Sequence, residues 1–126
     1  MTYIPFYKLN DQDIILLDSG WAEGEQKQLD ALIDANNFAI KAIINTHAHI
    51  DHIGNNSFFQ AKHGCVIAMP EVEAFICHSL VTLKLYFASL SLGTVEKNFA
   101  HMVCHTDIPI TEQDPSVTIC NTTFQV

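Results

Sequence analysis

Four side chains in the stretch Thr46-His47-Ala48-His49-Ile50-Asp51-His52 carry groups that bind metal ions, three imidazoles and one carboxylate. In extended backbone, residues two apart point the same way. His47 and His49 therefore present imidazoles to one point. Asp51 and His52 follow and face a second point nearby. Imidazole nitrogen and carboxylate oxygen suit zinc, and also iron or manganese. An apolar run over residues 40–44 precedes the stretch and reads as a buried strand, and Gly54 follows it. Open α/β sheets place their ligands beyond the carboxyl end of such a strand. The competing reading, chance histidines in a polar surface loop, leaves that context unexplained.

The elements that would position these groups follow from pattern. Residues 3–9 are rich in aromatics and read as a strand, with Pro5 marking an edge or a bulge. Residues 10–12 form a turn and 13–18 a second strand, giving a hairpin. The continuous apolar run over 14–17 predicts burial on both faces. Asp18 closes that strand beside Ser19-Gly20, where a turn-capping role is one reading. A loop over 21–24 leads to a helix over 25–37, with Leu29, Leu32 and Ile33 on one face and Asp30 and Asp34 opposite. Strand, helix and strand in this order imply a right-handed crossover and parallel pairing. A short helix from His52 or Ile53 to about Lys62 follows, its N-terminus directing positive charge towards the loop. Gly64 ends it, and His63 reads as a histidine at a helix C-terminus rather than a ligand. Residues 65–69 form a further strand, stopped by Pro70.

From residue 74 to residue 92 only Lys84 carries a fixed charge. That length suffices for a membrane span, but a central lysine costs about 2.5–3.5 kcal/mol on insertion. His78, Ser79, Thr82, Ser89 and Ser91 weaken the case further. The better reading is a helix over the mouth of the site or between subunits, with a kink near Ser79. Residues 93–115 read as irregular. His101 and His105 would share a face if helical, and with Asp107 they are candidates for a second cluster; surface or lid histidines are the alternative. Residues 117–120 and 123–126 read as strands joined at Asn121-Thr122.

At 126 residues the chain fits one small domain. It has 14 acidic residues against six basic ones, all lysine, and a formal net charge of −8. This argues against nucleic-acid backbone binding, which needs clustered Lys and Arg. Cys65, Cys77, Cys104 and Cys120 form no C-x-x-C pair, and residues 1–8 carry no secretory pattern. A reduced, cytoplasmic protein with free thiols is expected.

The motif His47-x-His49-x-Asp51-His52 resembles the H-x-H-x-D-H signature of the metallo-β-lactamase-fold hydrolases. Ile14-Ile15-Leu16-Leu17-Asp18-Ser19-Gly20 is similar to that family's strand ending in Asp-Thr/Ser-Gly. Residues 29–38 resemble the helix that follows, and Ala42-Ile43-Ile44-Asn45-Thr46-His47 the strand delivering the metal loop. The resemblance is clear over residues 3–69 and loose thereafter. It implies an α/β fold of the α+β sandwich type: the N-terminal half of a four-layer αβ/βα sandwich, a mixed sheet with flanking helices, with residues 1–126 a single incomplete domain. It also implies two zinc ions, the first held by His47 and His49, the second by Asp51 and His52. Asp51 is then the catalytic residue that orients the attacking water, and Asp18 supports the loop from behind. Nothing here matches the family's later ligands, a third histidine, a bridging aspartate and a last histidine.

From this resemblance the expectation is a metal-dependent hydrolase of a small ester, thioester, lactone, β-lactam or phosphodiester. A role in antibiotic resistance is the least favoured of these. The chain is expected to be a fragment with little activity alone. Its strands are apolar on both faces, so a bare sheet face and a homodimer or higher homo-oligomer are expected, burying more than about 2,000 Å². The rival reading is a non-catalytic metal-binding or oligomerisation module. An iron-containing flavoprotein-type relative is disfavoured, because it usually has Glu where His49 stands.

Overall fold

A computed structural model describes residues 3–126. Met1 and Thr2, the start of the segment read as carrying no leader, lie outside the described residues. Five strands build one sheet in the order of the chain: β1 (Phe6–Lys8), β2 (Asp13–Leu17), β3 (Ala39–Ile44), β4 (Val66–Pro70) and β5 (Ile108–Ile110). β1 and β2 are antiparallel, and every later pair is parallel. The hairpin turn is an Asx turn: Asn10 Oδ1 accepts from the backbone N–H groups of Gln12 at 2.9 Å and Asp13 at 2.8 Å. The crossover from β2 to β3 is α1 (Ala22–Ala35), which begins three residues before the expected helix. Glu23 and Glu25 sit in its first turn, where carboxylates oppose the helix dipole, so the segment read as a loop is helical.

The single helix expected after the metal loop is two, α2 (Ile50–Ile53) and α3 (Asn56–His63). The break has a local cause. The Asn55 N–H leaves the helical ladder to donate to Ser19 Oγ at 3.2 Å, and its Nδ2 donates to Ser19 O at 2.7 Å. Gly64, at φ 63°, ends α3 as expected.

The long apolar helix is not formed. Residues 71–99 make α4 (Glu71–Ile76), α5 (Leu80–Tyr86) and α6 (Leu92–Phe99). Ser79 opens α5 with a reciprocal cap to Thr82, and the Ser91 side chain caps α6. Among the described residues no helix is long and apolar enough to cross a membrane. The stretch read as irregular holds α6, a 3₁₀ turn (Ala100–Met102) and β5. Pro109 at the centre of a three-residue strand hid β5; it is tolerated because β5 is an edge strand.

The chain ends in a hairpin of β6 (Ser116–Ile119) and β7 (Thr122–Gln125). Its turn lies at Cys120 and Asn121, both left-handed at φ 51° and 61°, one residue before the expected place. This hairpin overturns one expectation about packing. One sheet face carries Ile14, Leu16, Ile43 and Ile67 against Ile33 of α1 and Phe59 of α3. The other carries Ile15, Ala42, Ala68 and Ile110, and it is not bare: Ile119, Val117 and Phe124 of the hairpin pack on it. Each large side chain so buried contributes about 1.5–3 kcal/mol. Exposed apolar side chains cluster instead on α4 and α5, where Val72, Phe75, Val81 and Leu85 face solvent, with others scattered over β1, α1 and the chain ends.

Candidate metal centre

The loop carrying His47, His49, Asp51 and His52 leaves β3 at its carboxyl end and is held from below by buried polar side chains. Asn45 is the first residue past the strand, and its N–H still pairs with Ala68 O of β4 at 2.9 Å. Its side chain enters a network with Ser19 and Asn56, all three buried. Ser19 Oγ donates to Asn56 Oδ1 at 2.8 Å, and Asn56 Nδ2 donates to Asn45 Oδ1 at 2.7 Å. The Ser19 N–H donates to His52 O at 2.7 Å. The chain therefore closes between the end of β2 and the start of α3. Gly54 permits that closure: a Cβ there would lie 2.6 Å from Ile50 O and 2.7 Å from Ala22 N and Gly20 O, all fixed backbone atoms.

Asp18, at φ 65°, stands at the centre of the arrangement. Its Oδ1 accepts from Thr46 N at 2.9 Å, and its Oδ2 from Thr46 Oγ1 at 2.9 Å. Oδ2 also lies 2.9 Å from His52 Nδ1. The Thr46 hydroxyl, having donated its proton to Asp18, can only accept from His47 Nδ1, 2.9 Å away. These bonds place a proton on Nδ1 of both imidazoles and leave Nε2 as the nitrogen turned away from the Asp18 network, the arrangement found in histidines that ligate metals through Nε2. Local sequence reasoning left the role of Asp18 open between turn cap and loop support; the hydrogen bonds are those of a loop support. The contributions of Asn45, Asn56 and Ser19 carry no local signal.

The structure brings three of the four predicted ligands together as rings. His47 lies 4.4 Å from His49 and 4.0 Å from His52, centroid to centroid. Asp51 is exposed, and its Oδ2 lies 3.6 Å from His52 Nε2. Among the described residues no group of three or more His, Cys, Asp or Glu side chains is disposed to hold one metal ion. The donors thus fit zinc in chemical type but fall short of a closed set around one point. The second cluster does not form. His101 sits in the 3₁₀ turn with its Nε2 buried and unpaired among the described residues, while His105 is exposed and 3.5 Å from Asp107. Burial pushes His101 below the ordinary histidine value. His63 is likewise lowered by burial, and its Nδ1 accepts from Ile40 N at 3.4 Å.

Beside the loop lies a pocket of about 300 Å³ walled by His49 and Asp51 on one side and by Tyr86, Phe87, Phe99 and Met102 on the other. Phe87 and Phe99 stack at 4.3 Å. A larger apolar cavity of about 450 Å³, between α1 and the β1–β2 hairpin, shares no residue with the loop.

A βαβ unit delivering a H-x-H-x-D-H loop, tied back to an aspartate at the preceding strand's end, defines a class. The sequence model of the metallo-β-lactamase superfamily matches residues 6–111, and the chain belongs to that superfamily. No curated protein matches it. Among solved structures it is similar to the B3 metallo-β-lactamase BLEG-1, at 20% identity and a TM-score of 0.66, over 95% of this chain and 52% of that one. BJP-1, a subclass B3 metallo-β-lactamase of Bradyrhizobium japonicum, is similar at 23% identity and a TM-score of 0.62, over 97% and 43%. The class B3 di-zinc metallo-β-lactamase LRA-12, from an Alaskan soil metagenome, is similar at 20% identity and a TM-score of 0.60, over 90% and 41%. These likenesses establish the fold. The chain spans about half, or less, of the length of each.

Proposed function

We propose that the chain carries the metal-binding half of a hydrolase acting on a small ester, thioester, lactone, β-lactam or phosphodiester. The observation that carries this reading is the pair of imidazoles whose tautomers Asp18 sets, His52 directly and His47 through Thr46. In it His47 and His49 hold one ion and Asp51 and His52 a second. Zinc is the metal of choice, with iron or manganese as substitutes; LRA-12 is described as a di-zinc enzyme. Such an ion supplies Lewis acidity and lowers the pKa of water towards about 7. The chain's own residues do the rest. Asp18 keeps Nδ1 protonated and Nε2 free. The exposed Asp51 carboxylate orients the attacking water. Tyr86, Phe87 and Phe99 exclude solvent and receive an apolar part of the substrate.

Catalytic zinc usually has three protein ligands, and this loop offers two to each ion. We therefore expect metal binding with little turnover by this chain alone. Zinc titration, with hydrolysis of p-nitrophenyl esters, thioesters and bis-phosphodiesters, tests both parts. Zinc uptake abolished by His47→Ala or His49→Ala supports the reading; failure of the unaltered chain to take up zinc overturns it. Robust turnover would show instead that the chain completes its own site.

The second reading is a non-catalytic metal-binding or oligomerisation module, favoured by exposed Val72, Phe75, Val81 and Leu85. A homodimer through α4 and α5 would cover them, and sedimentation at micromolar concentration decides it. The free cysteines suit a reducing, cytoplasmic setting. The net charge of −8 disfavours nucleic acid as a partner.

A further inference from the structure

We propose that Glu73 is a positioning residue for the His47–His49 pair, an inference that rests on the metal-binding reading above. Glu73 lies in the first turn of α4, 25 residues from the loop, and its Oε2 accepts the backbone N–H of Ala48 at 2.7 Å. Ala48 is the residue between the two histidines, and its own side chain is buried. In extended backbone the plane of the peptide at 48 sets which way its neighbours point. With the Ala48 methyl turned into the core, His47 and His49 are turned out together, at 4.4 Å. β3 has ended at Ile44, so the sheet offers the Ala48 N–H no acceptor. Glu73 supplies one.

The topology explains how a helix after the next strand reaches this point. β3 and β4 are parallel, with Ile44 beside Ala68, so their carboxyl ends lie together. α4 starts immediately after β4, at the same end of the sheet as the loop. Glu73 in its first turn spans the gap, and Asp is one methylene shorter.

The test separates reach from charge. Glu73→Gln keeps an oxygen at the same distance and loses the charge; Glu73→Asp keeps the charge and retracts the oxygen. Zinc affinity is measured by competition with a chromogenic chelator, with thermal unfolding alongside and Glu71→Ala as a control on the same helix turn. The proposal expects Glu73→Asp to weaken zinc binding by about 10–100-fold, the usual cost of losing a group that orients a ligand. It expects Glu73→Gln and Glu71→Ala to bind as the unaltered chain does. Loss in Glu73→Gln with retention in Glu73→Asp makes the residue a charge only and overturns the proposal, as does unchanged binding in both. If the unaltered chain takes up no zinc, the metal-binding reading fails separately. Glu73 is then judged from the imidazole ¹⁵N signals of His47 and His49 in the metal-free protein. Shifts in Glu73→Asp but not in Glu73→Gln support positioning; unchanged signals in both overturn it.

Discussion

His52 Nδ1 lies 2.9 Å from Asp18 Oδ2, across 34 residues of chain. The same carboxylate receives the Thr46 N–H and hydroxyl, and the Thr46 hydroxyl in turn accepts from His47. One side chain at the end of β2 thereby sets the proton positions of two imidazoles in a loop beyond β3. A carboxylate behind a ligating histidine fixes ring orientation and raises the basicity of the free nitrogen.

Asp18→Asn isolates this effect, because asparagine tolerates the left-handed backbone found at Asp18, φ 65°. With one oxygen in place of two, the amide cannot accept all three bonds: whichever way it turns, its NH2 faces a donor. Zinc affinity should fall by about 10–100-fold, and stability by about 1–3 kcal/mol as donors lose their acceptor. Zinc titration and urea unfolding check the two quantities, and unchanged affinity would remove Asp18 from the account of the site.

Gly54→Ala should be among the most damaging small substitutions in the chain. Its methyl would meet three backbone atoms at 2.6–2.7 Å, and none of them can swing away as a side chain would. Forced overpacking costs about 1–3 kcal/mol and occasionally more. Thermal unfolding should show a large drop, and histidine ring signals of the loop should shift with it. Gly93→Ala, where a Cβ meets nothing within 4 Å, is the matched control.

Acid should destabilise the fold through His63 and His101. Desolvation by burial lowers both imidazoles in the folded chain, with Lys62 adding to the effect at His63. The unfolded chain therefore binds protons that the folded one resists. Their contribution is complete above the unfolded value of about 6.5, and it is lost as pH falls from there through the lower folded values. Urea midpoints should be flat above neutrality and fall below it. His101→Leu, which removes a buried imidazole whose Nε2 is unpaired among the described residues, should flatten part of that slope.

Thiol reactivity should divide the four cysteines. Burial pushes Cys77 up to about 12 and Cys65 up to about 11, and raises Cys104 as well. Thiolate is the reactive form, so these three should resist alkylation in the folded protein. Cys120, exposed in the β6–β7 turn, should label first. Mass spectrometry after brief iodoacetamide treatment reads the outcome. Rapid labelling of Cys77 would show that the α4–α5 turn opens readily.

The candidate ligands and their spacing stand in seven consecutive residues, His47, His49, Asp51 and His52 among them, and no folding is needed to see that two faces of an extended loop can each offer a donor pair. The βαβ order, the parallel pairing of β2 and β3 and the end of α3 at Gly64 were equally legible, because local periodicity and turn chemistry encode them. Other features depend on partners far away in sequence. The break between α2 and α3 depends on Asn55 turning to Ser19. The second sheet face is covered by Val117, Ile119 and Phe124, whose short strands reveal no destination. β5 is a strand only because β4 offers it an edge. The hold of Asp18 on Thr46 and His52, and of Glu73 on Ala48, spans 25–34 residues. The seven residues supply the donors. Their protonation and direction come from carboxylates that reach the loop only once the strands have paired, because a hydrogen bond depends on the position of its acceptor in space and not on its place in the chain.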